Sequence, residues 1–391
     1  MKKNHTQEKL VYGDDAIVSL TPEALAGPTT LLRGGLRNSV GKFLREKTGR
    51  VAFLGGSITQ MPGWSNLTEA HLRERFPEAQ LEFVNAAIGG TNSTFGVFRF
   101  DEQVLGKGPV DLLFLEFAVN DAEAVKLDNQ PMEAMEGIIR KARQANPAVD
   151  ILVLYLADEG KVQAYRQQKE PASITFHDRI TAHYDIPVIN LALEMTRRLD
   201  AGLFPWNDFS RDSCHPNPFG HEQYMGCIRD CLDAAWAGAS SAIPAKAYPL
   251  PSPLCRDHLT RASLMPVSVA QGWRLVQGWV TEKVCNYDNP VDVLTAESPG
   301  ETVTLSFDGS VFAISAIAGM DAGVLEVSID GKPATEYDMF DPYCPMFHRP
   351  VFHVLAHSLP VGKHTVQLRI AERHNEQSTG HAARILHFAK A

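Results

Sequence analysis

Val51-Ala52-Phe53-Leu54-Gly55-Gly56-Ser57-Ile58-Thr59-Gln60 runs four apolar residues into a double-glycine turn that ends on a hydroxyl side chain. A short, unbroken apolar run bounded by a turn reads as a strand buried on both faces. The glycines let the backbone turn sharply and approach a neighbour closely. The same texture recurs downstream. Leu81-Ala86, Leu112-Phe117, Ile151-Leu156 and Pro187-Asn190 are further strand candidates, and helical patterns separate them at about Trp64-Phe76, Pro131-Gln144, Ser173-Tyr184 and Leu191-Ala201. A last helix follows Pro218, since proline suits a helix's first turn. Strands alternating with helices predict a doubly wound, flavodoxin-like parallel sheet. In such a sheet ligands bind beyond the carboxyl ends of the strands, so residues after Leu54, Ala86 and Phe117 share one rim.

The alternation stops at Ser240-Pro253, where Pro244, Pro249, Pro251 and Pro253 stand among small residues and read as a linker. Beyond it the strand-like runs are Thr302-Phe307, Val311-Ile317, Val324-Ile329, Val351-Leu355, Thr365-Ile370 and Ala383-Phe388, punctuated by Asp308-Gly309, Asp330-Gly331 and Val361-Gly362. That pattern predicts an all-β sandwich. The expected organisation is an N-terminal extension over 1–45, an α/β domain over 46–240, a linker over 241–257 and a β-sandwich accessory domain over 258–391.

A chain of 391 residues is long enough for two cores, and 44% hydrophobic with 21% charged residues is ordinary for a globular protein. The net charge of -9 argues against a nucleic-acid platform, which needs a basic face. No apolar region follows the charged start and no stretch is apolar enough to span a bilayer, so the expected location is cytoplasmic. The six cysteines, Cys214, Cys227, Cys231, Cys255, Cys285 and Cys344, lack paired Cys-x-x-Cys spacing and read as reduced. Cys227 and Cys231 share a helical face but have no matching partner pair for a metal.

Taken alone, Ser57 is a nucleophile candidate or equally a helix-capping serine. A phosphate loop is a third reading, weakened by the missing Lys-Ser/Thr pair. The second strand enters Asn85-Ala86-Ala87-Ile88-Gly89-Gly90-Thr91-Asn92-Ser93, another glycine turn. The third ends in Leu115-Glu116-Phe117-Ala118-Val119-Asn120-Asp121, where a lone asparagine is commonly a turn residue. Near the end of the α/β region comes Asp212-Ser213-Cys214-His215-Pro216-Asn217-Pro218, with an acid and a histidine three residues apart. With 14 histidines in the chain, none stands out singly.

In this order the four stretches resemble the blocks of the SGNH (GDSL-like) hydrolase family, from about Gly49 to Ala239. The resemblance implies Ser57 as nucleophile and Asp212 and His215 as acid and base. Its implied oxyanion donors are the N–H groups of Ser57 and Gly90 and the side chain of Asn120. Two departures stand out: Gly-Gly-Ser-Ile-Thr replaces Gly-Asp-Ser-Leu, and Ala118 replaces a common glycine. The first looks like the carbohydrate-esterase branch. The implied activity is removal of a small acyl group, chiefly acetyl, from a carbohydrate or polyol through an acyl-enzyme, with no metal and no organic cofactor. Acyl transfer at the same site, or a carbohydrate-binding protein with an inert hydrolase domain, are the alternatives. The expected partner is a small-molecule or oligosaccharide ester, with no nucleic acid and no membrane; a homo-oligomer is left open.

Among the remaining candidates, Cys214 is a minor alternative nucleophile. Glu116 and Asp121 are expected to orient the Asn120 loop, and His177, His183 and His221 to be structural. Trp64 and Trp206 lie near catalytic blocks and are read as substrate contacts or, equally, core. Trp273, Trp279, Tyr287, Phe340, Tyr343 and Phe347 suit glycan binding, although a packed β core accounts for them more readily.

Overall fold

The computed structural model describes residues 18–126, 129–242, 244–267, 272–281 and 290–391. They form two compact units. One holds the described residues up to Ala87 with Asn92–Thr94 and Lys107–Arg256; the other holds Ile88–Thr91, Phe95–Gly106 and the chain from Asp257.

The first unit runs α1 (Pro22–Ala26), β1 (Thr30–Leu31), α2 (Arg37–Arg45), β2 (Thr48–Leu54), α3 (Ser57–Gln60), α4 (Trp64–Arg75) and β3 (Gln80–Asn85). Next in the chain is α5 (Ser93–Gln103), which from Phe95 on lies in the other unit, and the first unit resumes with β4 (Leu112–Leu115), α6 (Gln130–Ala145), β5 (Asp150–Leu154), α7 (Glu159–Arg166), α8 (Ala172–His183) and β6 (Val188–Ile189). α9 (Leu191–Asp200), α10 (Trp206–Phe209) and α11 (Pro218–Ala235) complete it. The sheet order is β1-β6-β5-β4-β2-β3, with β1 antiparallel and the other five strands parallel. This is the doubly wound, flavodoxin-like order. Val51–Leu54 and Leu112–Leu115 are wholly buried, as strands covered on both faces must be. Phe53 stacks on Phe114 at 5.1 Å, and Trp64 meets both rings edge-on.

Register fixes where the loops emerge. Leu54 pairs with Leu115, so the turns after β2 and β4 leave the sheet side by side at its switch point. Asp158 caps α7 by accepting the Lys161 N–H at 2.8 Å, a start signal that the short polar helix otherwise hides. The proline-rich segment is bonded along α6: Arg140 and Arg143 donate to the carbonyls of Pro251 and Pro249, and Glu136 accepts the N–H groups of Leu254 and Cys255.

The second unit has β7 (Ser263–Pro266), β8 (Arg274–Trp279), β9 (Val291–Ala296), β10 (Thr302–Gly309), β11 (Phe312–Ala318) and β12 (Val324–Ile329). β13 (Thr335–Asp338), β14 (Arg349–Ala356), β15 (Gly362–Ile370) and β16 (Ala383–Lys390) follow. Two antiparallel sheets result, β10-β15-β12-β13 and β14-β11-β16-β9-β8, with β7 also on β16. Their shared core includes Ile314, Ala316, Leu325, Val366, Leu368 and Ile385. Asp330 and Gly331 both have positive φ and turn the β12–β13 hairpin. The other two turn signals, Asp308-Gly309 and Val361-Gly362, instead carry the chain from one sheet to the other. β11 is buried along its whole length because its far face is covered too: Phe95 and Phe98 of α5 lie on Phe352, whose residue pairs with Ser315.

Candidate active site

β2 delivers Ser57 to the first position of α3, with Gly56 as its cap. The two glycines are needed for space. A β-carbon on Gly55 would lie 2.1 Å from Glu116 Oε1, and one on Gly56 2.1 Å from Asn120 Oδ1. No side chain fits either position without displacing the β4 loop.

Glu116, 1% exposed, holds that turn from behind. Its Oε1 accepts the Gly56 N–H at 2.9 Å and the Thr59 hydroxyl in a shorter bond. Burial pushes its carboxyl up to about 7 against those hydrogen bonds. The folded state therefore keeps a proton that the unfolded chain releases near 4.5, so stability falls as pH rises from about 4.5 to about 7 and levels off above. Glu116→Gln is expected to remove that slope, on the order of 3 kcal/mol at most. Urea midpoints of both proteins between pH 5 and pH 8 check it; parallel pH curves would refute it.

Asp121 anchors the same loop. Wholly buried, it accepts the Ser93 N–H at 3.0 Å and bonds His177 Nε2 at 2.8 Å, which gives His177 its structural role. His221 is also structural: its Nδ1 accepts the Trp64 N–H, and burial holds it down at about 4. His183 bonds the Ser252 carbonyl.

The Asp212–His215 loop meets Ser57. Ser57 Oγ and His215 Nε2 are 2.8 Å apart, and His215 Nδ1 and Asp212 Oδ2 also 2.8 Å. Partial burial pushes the Asp212 carboxyl up, but the N–H groups of His215 and Cys214 and the His215 ring outweigh it and bring it to about 2. An ionised carboxylate only accepts, so His215 carries its proton on Nδ1 and Nε2 accepts from the Ser57 hydroxyl. Three groups brace this loop, two of which, Ser210 and Glu159, the sequence did not single out. Buried Ser210 lies within bonding distance of the carbonyls of Asp212 and His215, and Glu159 at the start of α7 donates its N–H to the Ser213 carbonyl. Trp206 is the third, its indole N–H donating to the Asp212 carbonyl at 2.9 Å.

Trp206 is thus half-buried and tied to the loop. Trp64 requires a correction: it is 0% exposed between Phe53 and Phe114, with no surface to offer a substrate. Cys214, the minor alternative nucleophile, lies beside His215. Its Sγ lies 3.4 Å from His215 Nδ1, yet burial and the Asp212 charge push the thiol up to about 12, which leaves no thiolate to attack a carbonyl. Gly90, with φ +72°, sits in the 88–91 loop of the second unit. Of the aromatics weighed for glycan binding, Trp273 is core and Phe340 packs on that core, while Trp279 stacks under Arg384. Tyr343 is half-exposed and stacks on Phe347. Tyr287 and Cys285 lie outside the described residues.

A parallel sheet bearing a serine, a histidine and a carboxylate in one hydrogen-bonded line beyond its strand ends places this unit among the carboxylic ester hydrolases. Residues 53–223 match the model of the GDSL-like Lipase/Acylhydrolase family. No curated protein matches the chain by sequence. Among solved structures, a two-domain esterase (CEX) active on acetylated mannans, co-crystallized with mannopentaose, is 21% identical with TM-score 0.76, covering 93% of this chain and 96% of that one. A second structure of a two-domain esterase of that description is 22% identical with TM-score 0.74, covering 93% and 97%. At such identity the likeness speaks for the fold, an α/β unit followed by antiparallel β-sheets. No helix among the described residues is long and apolar enough to cross a membrane.

Proposed function

We propose that this protein is a serine esterase that removes acetyl groups from a carbohydrate through an acyl-enzyme. The observation that carries the reading is the Ser57–His215–Asp212 line, with both contacts at 2.8 Å. His215 Nε2 takes the Ser57 proton as Oγ attacks the ester carbonyl, and Asp212 stabilises the imidazolium that forms. His215 then returns the proton to the leaving sugar hydroxyl. A water, deprotonated in turn by His215, releases acetate and restores Ser57. The oxyanion is held by the Ser57 N–H and the Asn120 amide, to which the family resemblance adds the N–H of Gly90.

The carbohydrate part of the reading is supported by the solved two-domain esterase, which is active on acetylated mannans and was crystallized with mannopentaose. In functional terms we divide the chain into the catalytic region 46–240 and the accessory β region 258–391. The intact site favours catalysis over an inert domain that only binds glycan. Product analysis of an acetylated oligosaccharide, with and without an acceptor sugar, tests the reading: free acetate in both cases supports hydrolysis, acetylated acceptor would make the protein a transferase, and no reaction would refute both.

The turn from β2 into α3 is only Gly55-Gly56, and we take the acyl pocket beside it to be small. Acetyl esters are therefore expected to exceed octanoyl esters in kcat/KM by about tenfold or more, measured on p-nitrophenyl esters. Equal or faster cleavage of the long chain would point to a lipase or thioesterase instead.

A further inference from the structure

We propose that Arg211 is a specificity residue of this esterase, placed to hold a carboxylate on the glycan, so that the favoured substrate is an acetylated sugar chain containing uronic acid. The inference rests on the reading of the site given above and narrows its substrate class. Arg211 immediately precedes Asp212 in a small antiparallel turn: Ser210 bridges Pro216, and the Arg211 N–H donates to the His215 carbonyl at 3.1 Å. Its backbone is therefore held with the Asp212–His215 loop itself. Its side chain leaves that loop and brings Nη2 to 4.0 Å from Sδ of Met61, whose N–H donates to the Ser57 carbonyl at 3.0 Å. The guanidinium thus spans the two stretches of chain that supply the nucleophile and the acid–base pair.

Nothing inside the protein uses that charge. Arg211 is exposed, and among the described residues no carboxylate pairs with it, whereas Arg33, Arg198, Arg349 and Arg384 each have a carboxylate partner. The sulfur it touches is a weak acceptor and leaves the cation uncompensated. After burial, the charges of Arg211 and His215 are what hold His221 down, so the field on this side of the triad is positive. A guanidinium stays protonated and presents a planar fork that matches a carboxylate. The net charge of -9 gives the chain no long-range pull on an anionic glycan, so recognition of one has to come from a local cation of this kind.

The test uses an acetylated oligogalacturonide and the same material with its carboxyl groups reduced to alcohols, so that the two substrates differ in charge. Acetate release is measured for the full wild-type chain, for Arg211→Met, which keeps a flexible stem against Met61 without the charge, and for Arg211→Lys, which keeps the charge without the fork. An exposed charge pair is worth about fivefold and a charge-assisted hydrogen bond about tenfold or more. Wild type is therefore expected to favour the acidic substrate by about five- to tenfold in kcat/KM, through KM, with Arg211→Met losing that preference and Arg211→Lys keeping part of it. Added salt is expected to shrink the wild-type preference, because an exposed pair is screened. Equal kcat/KM on the two substrates in wild type, or a preference that survives in Arg211→Met, would overturn the inference. Calorimetric titration with trigalacturonate, which carries no ester, decides the carboxylate site even if wild type hydrolyses neither substrate, a result that would sink the functional reading alone: tighter binding by wild type than by Arg211→Met supports the site, and equal or absent binding refutes it.

Discussion

Ser57→Ala is expected to abolish hydrolysis of acetyl esters while leaving the protein folded. Among the described residues only this hydroxyl is in bonding reach of His215 Nε2, and without it no acyl-enzyme forms. In a serine protease of the same triad logic, loss of the nucleophile costs about 10⁶ in kcat, and an effect of that order is expected here. The fold should tolerate the change. Ser57 opens a four-residue helix whose turn is held by Glu116 through Gly56 and Thr59, not by the serine side chain. One part-buried hydrogen bond is lost, about 1 kcal/mol. Circular dichroism and thermal melts check the fold, p-nitrophenyl acetate the rate, and a fluorophosphonate probe with mass mapping the site. Turnover in a pure, folded variant, or label on another residue, would remove Ser57 from its role.

Much of this was legible in the residues, and what escaped did so for physical reasons. The strands from Val51, Leu112 and Ile151 announce themselves because a strand buried on both faces has no polar position to interrupt the run. α5 was missed because Ser93–Gln103 mixes aromatics, a glycine and charges in a segment of weak intrinsic helicity, and Phe95 and Phe98 gain their order from Phe352, distant in sequence. β8 is half-exposed and β13 is short, and their pairing partners, not their own pattern, define them. In the site, block order pointed to Ser57, Asp212 and His215, which the fold brings together. Burial is a tertiary property, so Trp64 in the core could not be told from Trp64 at a rim. Ser210 and Glu159 act on the Asp212–His215 loop from other elements, and nothing local in the sequence marks such bracing.

Asn120 separates the functional from the structural reading most sharply. A turn asparagine would accept a nearby main-chain N–H through its side chain, and among the described residues no main-chain N–H donates to Asn120 Oδ1. The loop is secured instead by its neighbours, Glu116 against the Ser57 turn and Asp121 against Ser93 and His177. The Asn120 amide lies against Gly56, so close that a β-carbon there would meet its Oδ1 at 2.1 Å. With its loop held by others, truncation should leave stability nearly unchanged. An oxyanion donor acts once charge has formed on the carbonyl oxygen, so its loss falls on the transition state. Removing such a donor costs about 10²–10³ in turnover, roughly 2.7–4 kcal/mol. An interaction confined to the transition state lowers kcat and kcat/KM together. Asn120→Ala is therefore expected to show that joint loss with KM almost constant, measured by steady-state kinetics on acetyl esters beside a urea denaturation curve. Wild-type kcat, or a raised KM alone, would exclude Asn120 from the oxyanion hole, and a large loss of stability with little kinetic change would return it to a turn role.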